Sequence, residues 1–257
     1  MRESLTGVLF SLRQRRTLRR WERIAEIAQD TSLQNLRQIR SLARQVEQRV
    51  GTIGQIAESR LRRPLVGSSP MSLPPATDWS HRPDAWIHPL TPRGHAPAKS
   101  KTWLGSDVAL YHDSRTPSVA VQQTRNRHDK DLTPFSIAVD VFEFDGSFLS
   151  LVLQAPKGIV ADLKKSHILR IDHNITSERH LEGYARLNLR NGPNTEQITQ
   201  TMTFDARPGV VEFDLAYSRF NENRAEEIWF DLFFESPSMN RMEIRDVTLS
   251  RRLRAEF

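Results

Sequence analysis

Hydrophobic and polar residues alternate strictly in the stretch 227–235. The apolar positions are Ile228, Phe230, Leu232 and Phe234, and the positions between them hold Trp229, Asp231 and Phe233. Side chains alternate between the two faces of a β-strand. The pattern therefore predicts a strand with one apolar face, which packs on a core, and one mixed face.

The stretches 135–144 and 147–153 alternate in the same way. Asp145-Gly146 lies between them and is typical of a two-residue hairpin turn. We therefore predict that these two strands pair with each other as a β-hairpin.

A second hairpin is predicted at the end of the chain. The stretch 241–250 follows 227–235 after Ser236-Pro-Ser-Met-Asn240, which has the composition of a turn. Neither face of 241–250 is wholly apolar, which favours an edge strand or a β-bulge.

Further strands are predicted between these segments, and no helical pattern interrupts them. They cover residues 119–124, 167–172, 181–189, 196–204 and 210–217, with turns at 192–194 and 207–209. Eight to ten strands at this spacing indicate an antiparallel β-sandwich of the jelly-roll type. The fold class is thus mainly β, with residues 108–257 as the sandwich domain.

Residues 1–63 contain no proline and few glycines, and we predict a helical extension here. From Leu36 to Ala57 the apolar residues recur at alternating spacings of three and four, the pattern of a coiled-coil seam. One interpretation is a homo-oligomer formed through residues 33–61. The alternative is a single amphipathic helix that packs on the sandwich.

The basic charge of the chain is concentrated in this N-terminal segment. Fourteen arginines oppose six acids in residues 1–63, whereas the rest of the chain has 23 basic and 25 acidic residues. An anionic membrane surface could contact the arginine cluster Arg13, Arg15, Arg16, Arg19 and Arg20. The alternative is an ordinary solvated helix face. The nearly neutral sandwich makes nucleic acid an unexpected partner.

Eight of the fourteen prolines lie between residues 64 and 107, and we predict an extended linker there. Trp79, Trp86 and Trp103 would pin this linker to a domain surface, or serve as a platform for a partner. The spacing of the histidines in this segment predicts no metal site, because the prolines prevent the helix that would bring their side chains together.

No catalytic motif, cofactor-binding loop or metal-ligand pattern is recognisable in the sequence. The chain has no cysteine, so a metal site would require His or carboxylate ligands. His167, His173 and His180 are close in sequence, and we interpret them as ordinary structural histidines. Surface acids could form a catalytic pair in a polysaccharide hydrolase or a calcium site; the candidates are Asp140, Glu143, Asp145, Asp214 and Asp231.

Sugar recognition is suggested by polar side chains that lie near aromatic ones. Aromatic rings pack on the apolar face of a sugar, while amide and guanidinium groups bond its hydroxyls. The candidate ligand-binding residues are Tyr184, Asn188, Arg190, Tyr217 and Trp229. The alternative is that the aromatic residues pack in the core or at its rim.

Three segments carry a resemblance to known proteins: FDGSFLSLVL (144–153), NGPNTEQI (191–198) and residues 211–257. They resemble a bacterial domain family of unknown function over about residues 100–257, and the resemblance implies no activity. The final strand, IRDVTLSRR, is similar to the closing strand of jelly-roll carbohydrate-binding modules and galactose-binding-like domains. It implies no specific binding residues.

These patterns favour a non-catalytic binding module, attached or oligomerised through its helical stem, with a glycan or a protein surface as its partner. The alternatives are a peripheral membrane or envelope-associated protein, anchored by its N-terminal helix, and a polysaccharide hydrolase. The N-terminal sequence lacks the pattern of a secretory signal, so we expect a cytoplasmic protein, free or associated with a membrane or particle.

Overall fold

Residues 77–253 form two antiparallel sheets that pack face to face. The computed structural model describes residues 2–62, 73–126, 131–204 and 208–254. The strands are β1 (Thr77–His81), β2 (Gly94–His95), β3 (Thr102–Leu104), β4 (Val108–His112), β5 (Val119–Arg125), β6 (Phe135–Val141), β7 (Leu149–Gln154), β8 (His167–Ser177), β9 (Glu182–Asn191), β10 (Asn194–Met202), β11 (Gly209–Asp214), β12 (Ala225–Glu235) and β13 (Asn240–Leu253). The predicted β-sandwich is confirmed.

One sheet has seven strands and the other has six. The seven-stranded sheet has the order β11-β8-β13-β6-β5-β2, and β1 also pairs with β13. The six-stranded sheet has the order β10-β9-β12-β7-β4-β3. The inner faces of both sheets form one hydrophobic core, so each sheet keeps one face toward solvent.

The predicted alternation in β12 is confirmed. Ile228, Phe230 and Leu232 are fully buried between the sheets, and the intervening residues point outward. In β13 the pairing with β8 shifts between Ile244 and Asp246. This β-bulge explains why neither face of the sequence is wholly apolar, because the inward positions change parity there. The strand is central in its sheet and is not an edge.

Both predicted hairpins are wrong. β6 belongs to the seven-stranded sheet and β7 to the six-stranded sheet, and β13 and β12 are divided in the same way. Each turn therefore carries the chain from one sheet to the other. Asp145 has a different role from a hairpin residue, since its carboxylate accepts hydrogen bonds from the backbone N–H groups of Arg115 and Thr116.

The predicted linker is also corrected from residue 73 onward; residues 64–72 lie outside the described part. β1, β2 and β3 belong to the sheets, and Trp86 is fully buried with its indole N–H donating to the carbonyl of Ile244 (2.9 Å). The Gln123 side chain bonds the carbonyl of Ala85 (2.7 Å). Residues 73–107 are thus part of the sandwich and contribute side chains to its core.

The N-terminal segment is helical, as predicted. It contains α1 (Arg2–Ile27) and α2 (Leu33–Arg62), and contacts divide the chain into the units Met1–Ile56 and Ala57–Phe257. Apolar side chains of α2 remain exposed to solvent, including Val50 and Ile53. Within the described residues, neither helix has an apolar run long enough to cross a membrane.

Candidate functional site

The outer face of the six-stranded sheet carries a set of polar and aromatic side chains in cross-strand rows. In one row Trp229 on β12 lies opposite Asn188 on β9 and Gln154 on β7. In the next row Asp231 lies opposite Arg186. These residues share a face because their positions along each strand differ by two.

A groove of about 700 Å³ runs over this face, which is within the range of roughly 300–1,000 Å³ typical of ligand sites. Its lining residues are Tyr111, Phe148, Ser150, Val152, Gln154, Arg186, Asn188, Arg190, Gln197, Glu227, Trp229, Asp231 and Phe233. Smaller depressions adjoin it at both ends of β12. One shares Phe148 and Phe233 with the groove, and the other shares Gln154, Arg190 and Glu227. The site is therefore elongated along β12.

A connected hydrogen-bond network forms the floor of the groove. Arg186 donates to Asp231 through Nη2 (2.7 Å) and Nε (3.0 Å). Asn188 Nδ2 donates to the same carboxylate oxygen (2.9 Å), and Gln197 Nε2 donates to Asn188 Oδ1 (2.8 Å). Asp231 and Asn188 are buried, so the network holds these side chains in fixed positions.

Aromatic rings flank this polar floor. Tyr184 stacks on Phe233 with ring centroids 4.6 Å apart, and the Arg186 guanidinium lies 4.6 Å from the centre of the same Phe233 ring. Trp229 lies four residues before Phe233 on the same strand, or about 13 Å along it. The rings thus provide apolar surface on both sides of the Asp231 carboxylate.

The charged groups of the groove neutralise each other. Arg186 pairs with Asp231, while Arg190 pairs with Glu227 (2.9 Å) and Glu226 (3.3 Å). The Gln154 amide also bonds Glu227. The groove therefore offers paired charges and amide groups as hydrogen-bond partners, with no surplus of positive charge for an anionic ligand.

Four of the five predicted ligand-binding residues lie on the outer face of this sheet. Asn188, Arg190 and Trp229 line the groove, and Tyr184 lies beside it on Phe233. Tyr217 does not join them. It lies in the short helical turn after β11, 82% exposed, beneath the guanidinium of Arg254.

Other groove residues were missed from the sequence. Arg186 could have been found, because it has the same strand parity as Tyr184, Asn188 and Arg190. Gln197 and Tyr111 could not be recognised from the sequence. They lie on β10 and β4, and local sequence patterns do not determine the register of these strands against β9 and β7.

The candidate catalytic acids do not lie close to one another. Asp231 is in the groove, whereas Asp140 pairs with Arg241 on the other sheet (2.7 Å). Asp145 lies in the loop before β7, where bonds from the Ser114 hydroxyl and from Thr116 hold its pKa below the usual range. Asp214 caps the turn after β11, and Glu143 lies in the loop after β6.

The three histidines also do not form a common site. His167 is buried, its Nδ1 accepts from the Lys164 backbone (2.9 Å), and burial lowers its pKa. Burial lowers the pKa of His173 to about 4. His180 lies on the surface. In the part of the chain that the structure describes, no three His, Asp or Glu side chains are placed to hold a metal ion.

The predicted arginine cluster lies on α1. The side chains of Arg15, Arg16, Arg19 and Arg20 are exposed, and the side chain of Arg13 lies outside the described part. α1 forms a continuous helix through this region, so Arg15 and Arg19 share one side of it, as do Arg16 and Arg20.

This fold and groove define the molecule as an antiparallel β-sandwich with a polar–aromatic site on one exposed sheet face. The chain belongs to a family described as a "Family of unknown function (DUF6478)", whose model matches residues 1–257. That family therefore includes the helical segment as well as the sandwich. No curated protein matches the sequence.

Solved structures with some similarity include carbohydrate-binding modules. A family 11 module from Clostridium thermocellum, in complex with a β-1,3-1,4-mixed-linked tetrasaccharide, is 14% identical, with a TM-score of 0.38 over 58% of this chain and 91% of that one. A xylan-binding domain from Paenibacillus barcinonensis is 12% identical, with a TM-score of 0.36 over 63% and 94%.

The enzymatically active domain of a bacteriophage CBA120 tailspike protein is 8% identical, with a TM-score of 0.40 over 56% of this chain and 19% of that one. The match thus spans a small part of the tailspike chain. Similarities this distant do not bear on what the groove binds.

Proposed function

We propose that this protein is a non-catalytic carbohydrate-binding module whose ligand lies in the groove of the six-stranded sheet. The observation that carries this proposal is the fixed network of Arg186, Asn188, Gln197 and Asp231 between two aromatic regions. Such an arrangement suits a molecule that alternates apolar faces with hydroxyl groups.

The chemistry of the groove favours a neutral, elongated glycan. Pyranose rings present C–H faces that pack on Trp229 and on the aromatic rings near Phe233, and their hydroxyls can bond the amides and carboxylates between them. The groove and its two adjoining depressions continue along β12, which supports a chain of several sugar units that runs parallel to that strand.

The state of the carboxylates supports binding without catalysis. A glycosidase requires one carboxyl group to donate a proton and another to act as base or nucleophile. Here Asp231 is held by Arg186 and Asn188, and Glu227 is held by Arg190 and Gln154. Both carboxylates are thus paired with arginines of the groove, which supports a role in positioning hydrogen-bond partners for a ligand.

The proposal is tested by binding of the full chain to a panel of soluble neutral polysaccharides, measured by affinity electrophoresis and then by calorimetry. Trp229→Ala should weaken binding by about 2 kcal/mol, or roughly thirtyfold in Kd. Tyr217→Ala is the control, because Tyr217 is an exposed aromatic residue after β11 that does not line the groove. Equal affinities of the two variants for a ligand would count against this site.

The helical unit is proposed to act as a stem that oligomerises the module through residues 33–61. Val46, Val50 and Ile53 continue the heptad spacing of α2 and are 36%, 60% and 67% exposed. Apolar seams of this kind are buried when helices associate. Replacement of Val50 and Ile53 by Glu should lower the mass of the full chain measured by light scattering, and an unchanged mass would contradict the stem.

A second candidate role for α1 is contact with an anionic membrane surface, favoured by the exposed arginines Arg15, Arg16, Arg19 and Arg20. Attraction of this kind adds about 1 kcal/mol per basic residue near the surface. Co-sedimentation of the full chain with phosphatidylserine vesicles should fall when these four arginines are replaced by Gln. Equal co-sedimentation of both proteins would exclude this role.

A further inference from the structure

Strand β10 forms an edge of the six-stranded sheet. It pairs with β9 along its whole length, from Asn194 to Met202, and in the described part of the chain no strand pairs with its other side. β10 begins after the tight turn Gly192-Pro193, where Gly192 has a φ of +62°. This edge is the longest that the six-stranded sheet presents, since β3 at the opposite edge has three residues.

The backbone groups that face the open edge can be assigned from the ladder. The carbonyl of Ile228 accepts a bond from Ala155 N–H (3.1 Å), so Ile228 directs its backbone toward β7. The backbone direction alternates along an antiparallel strand. Trp229 therefore directs its backbone toward β9, where it pairs with Asn188. Leu187, the next residue of β9, then faces β10 and pairs with Ile198. The residues of β10 that face the open edge are thus Thr195, Gln197, Thr199 and Thr201.

In length and composition, this edge lacks the features that normally protect edge strands from pairing, although the Arg219 backbone N–H donates to the Glu196 carboxylate on β10. Natural edges are short, bulged or interrupted by proline, or carry charged side chains, especially lysine. β2 and β3 have two and three residues, and β11 carries Glu212 and Asp214. β10 has nine residues without lysine, arginine or proline, and its one charged residue is Glu196. Its outer-face side chains are exposed.

We propose that β10 pairs with β10 of a second copy of this chain, in antiparallel register about Ile198. In that register Thr195 of one copy lies opposite Thr201 of the other, and Gln197 lies opposite Thr199. Glu196 faces Gln200, so no like charges oppose each other, and threonine pairs are favourable across antiparallel strands. The edge is thus complementary to itself.

The dimer joins two six-stranded sheets into one continuous sheet. Residues opposite each other in an antiparallel pair share a face, so the groove of each copy lies on the same face of the joined sheet. A ligand with repeating units could then engage both grooves, which raises its apparent affinity without any new contact.

The first test is the mass of the ligand-free full chain with Val50 and Ile53 replaced by Glu, so that α2 adds no association of its own. Light scattering measures this mass, with Thr199→Pro as the probe. The Thr199 N–H faces the open edge, so proline there removes an edge donor and leaves the ladder with β9 intact. Addition of Thr199→Pro to this Glu variant should halve its mass, while addition of Thr203→Pro, just beyond β10, should leave the mass unchanged. An equal mass with and without Thr199→Pro overturns the proposal.

A second test does not depend on how well the proline variant folds. The chain has no cysteine, so Ile198→Cys introduces one thiol at the centre of the proposed register. The two Cα atoms would be about 4.5 Å apart, as in a non-hydrogen-bonded pair, which suits a disulfide. Mild oxidation should cross-link Ile198→Cys at least tenfold faster than Thr203→Cys. Equal rates overturn the register, whatever assembly α2 forms and whatever the groove binds.

Discussion

The outer faces of the two sheets are built from similar polar residues but are organised differently. On the seven-stranded sheet, partly exposed side chains form two separate salt bridges, Arg241–Asp140 and Arg245–Glu243. They also form a chain of salt bridges in which Glu212 pairs with Arg252 and Arg170, and Arg170 pairs with Asp172. On the six-stranded sheet, the Asp231 carboxylate is buried and accepts hydrogen bonds from Arg186 and Asn188, and aromatic rings lie on both sides of this network. In strands β5, β6, β8 and β13, all fully described, no aromatic side chain points outward.

This difference suits the outer face of the seven-stranded sheet to contact with solvent, and that of the six-stranded sheet to ligand recognition. Exposed ion pairs contribute up to about 1 kcal/mol each and mainly keep a sheet face in water. A buried network fixes its side chains before a ligand arrives, so little side-chain entropy is lost on binding. Acidic and basic residues alone therefore do not indicate a ligand-binding site. A buried carboxylate next to aromatic rings is the more specific indication.

The largest expected change in the free energy of unfolding comes from the buried ion pair of Arg82 and Asp246, beside the bulge of β13. Arg82 Nε and Nη2 lie 2.9 and 3.0 Å from the two carboxylate oxygens, and burial raises the pKa of Asp246. Arg82→Met leaves this carboxylate buried without its cation and should lower the free energy of unfolding by about 3–5 kcal/mol. Urea denaturation measures this loss. The double variant Arg82→Met, Asp246→Leu should recover most of it; no recovery would mean that Arg82 acts through packing alone.

The next effect is the pH dependence caused by His173, in the core of the seven-stranded sheet. Its pKa is about 4 in the folded protein, because burial disfavours the charged ring, and about 6.5 in the unfolded chain. The unfolded state therefore binds the proton first, and stability is lost as the pH falls from 6.5 toward 4. The loss from this group is about 3 kcal/mol. His173→Leu should remove this part of the pH dependence. Unfolding curves at pH 7 and pH 4.5 give the loss in the free energy of unfolding between the two pH values. An equal loss in the variant and the wild type would contradict the prediction.

A matched pair of aspartates compares the two faces directly. Asp231→Asn weakens three hydrogen bonds from Arg186 and Asn188 to a buried carboxylate and should lower the free energy of unfolding by about 2 kcal/mol. Asp140→Asn removes a partly exposed pair with Arg241 and should cost less than about 1 kcal/mol. Thermal unfolding distinguishes the two. Similar losses for both variants would mean that the faces do not differ in the way described.

From β5 onward the sequence predicted the strands, and in β6, β7 and β12 also their inward faces, because alternation is a local property. The inward positions of β12, which are Ile228, Phe230, Leu232 and Phe234, were all identified in this way. The pairing of strands was not predicted. Asp145-Gly146 has the composition of a hairpin turn, yet its acid bonds the loop before β5 and the chain crosses to the other sheet. The composition of a turn predicts that the chain reverses direction, but it does not predict which sheet the next strand joins.

The site was predicted in part for the same reason. Asn188, Arg190 and Trp229 were recognised by residue type, and they meet because β9 pairs with β12. Gln197 enters the network through the pairing of β10 with β9, which no local pattern specifies. The proline-rich segment was misinterpreted because its composition suits a linker, whereas its apolar side chains, among them Trp86 and Leu90, belong to the hydrophobic core.

The smallest expected effect is that of salt on ligand binding. Every charge in the groove has a partner within the protein, so a neutral glycan should gain little from long-range attraction. Between about 0.01 and 1 M ionic strength the Debye length falls from ~30 Å to ~3 Å, yet the Kd measured by calorimetry should change less than about twofold. The exposed pairs of the opposite sheet should weaken over the same range. A Kd that rises tenfold or more would show that the ligand is anionic, and Arg186 or Arg190 would then bind it by giving up its carboxylate partner.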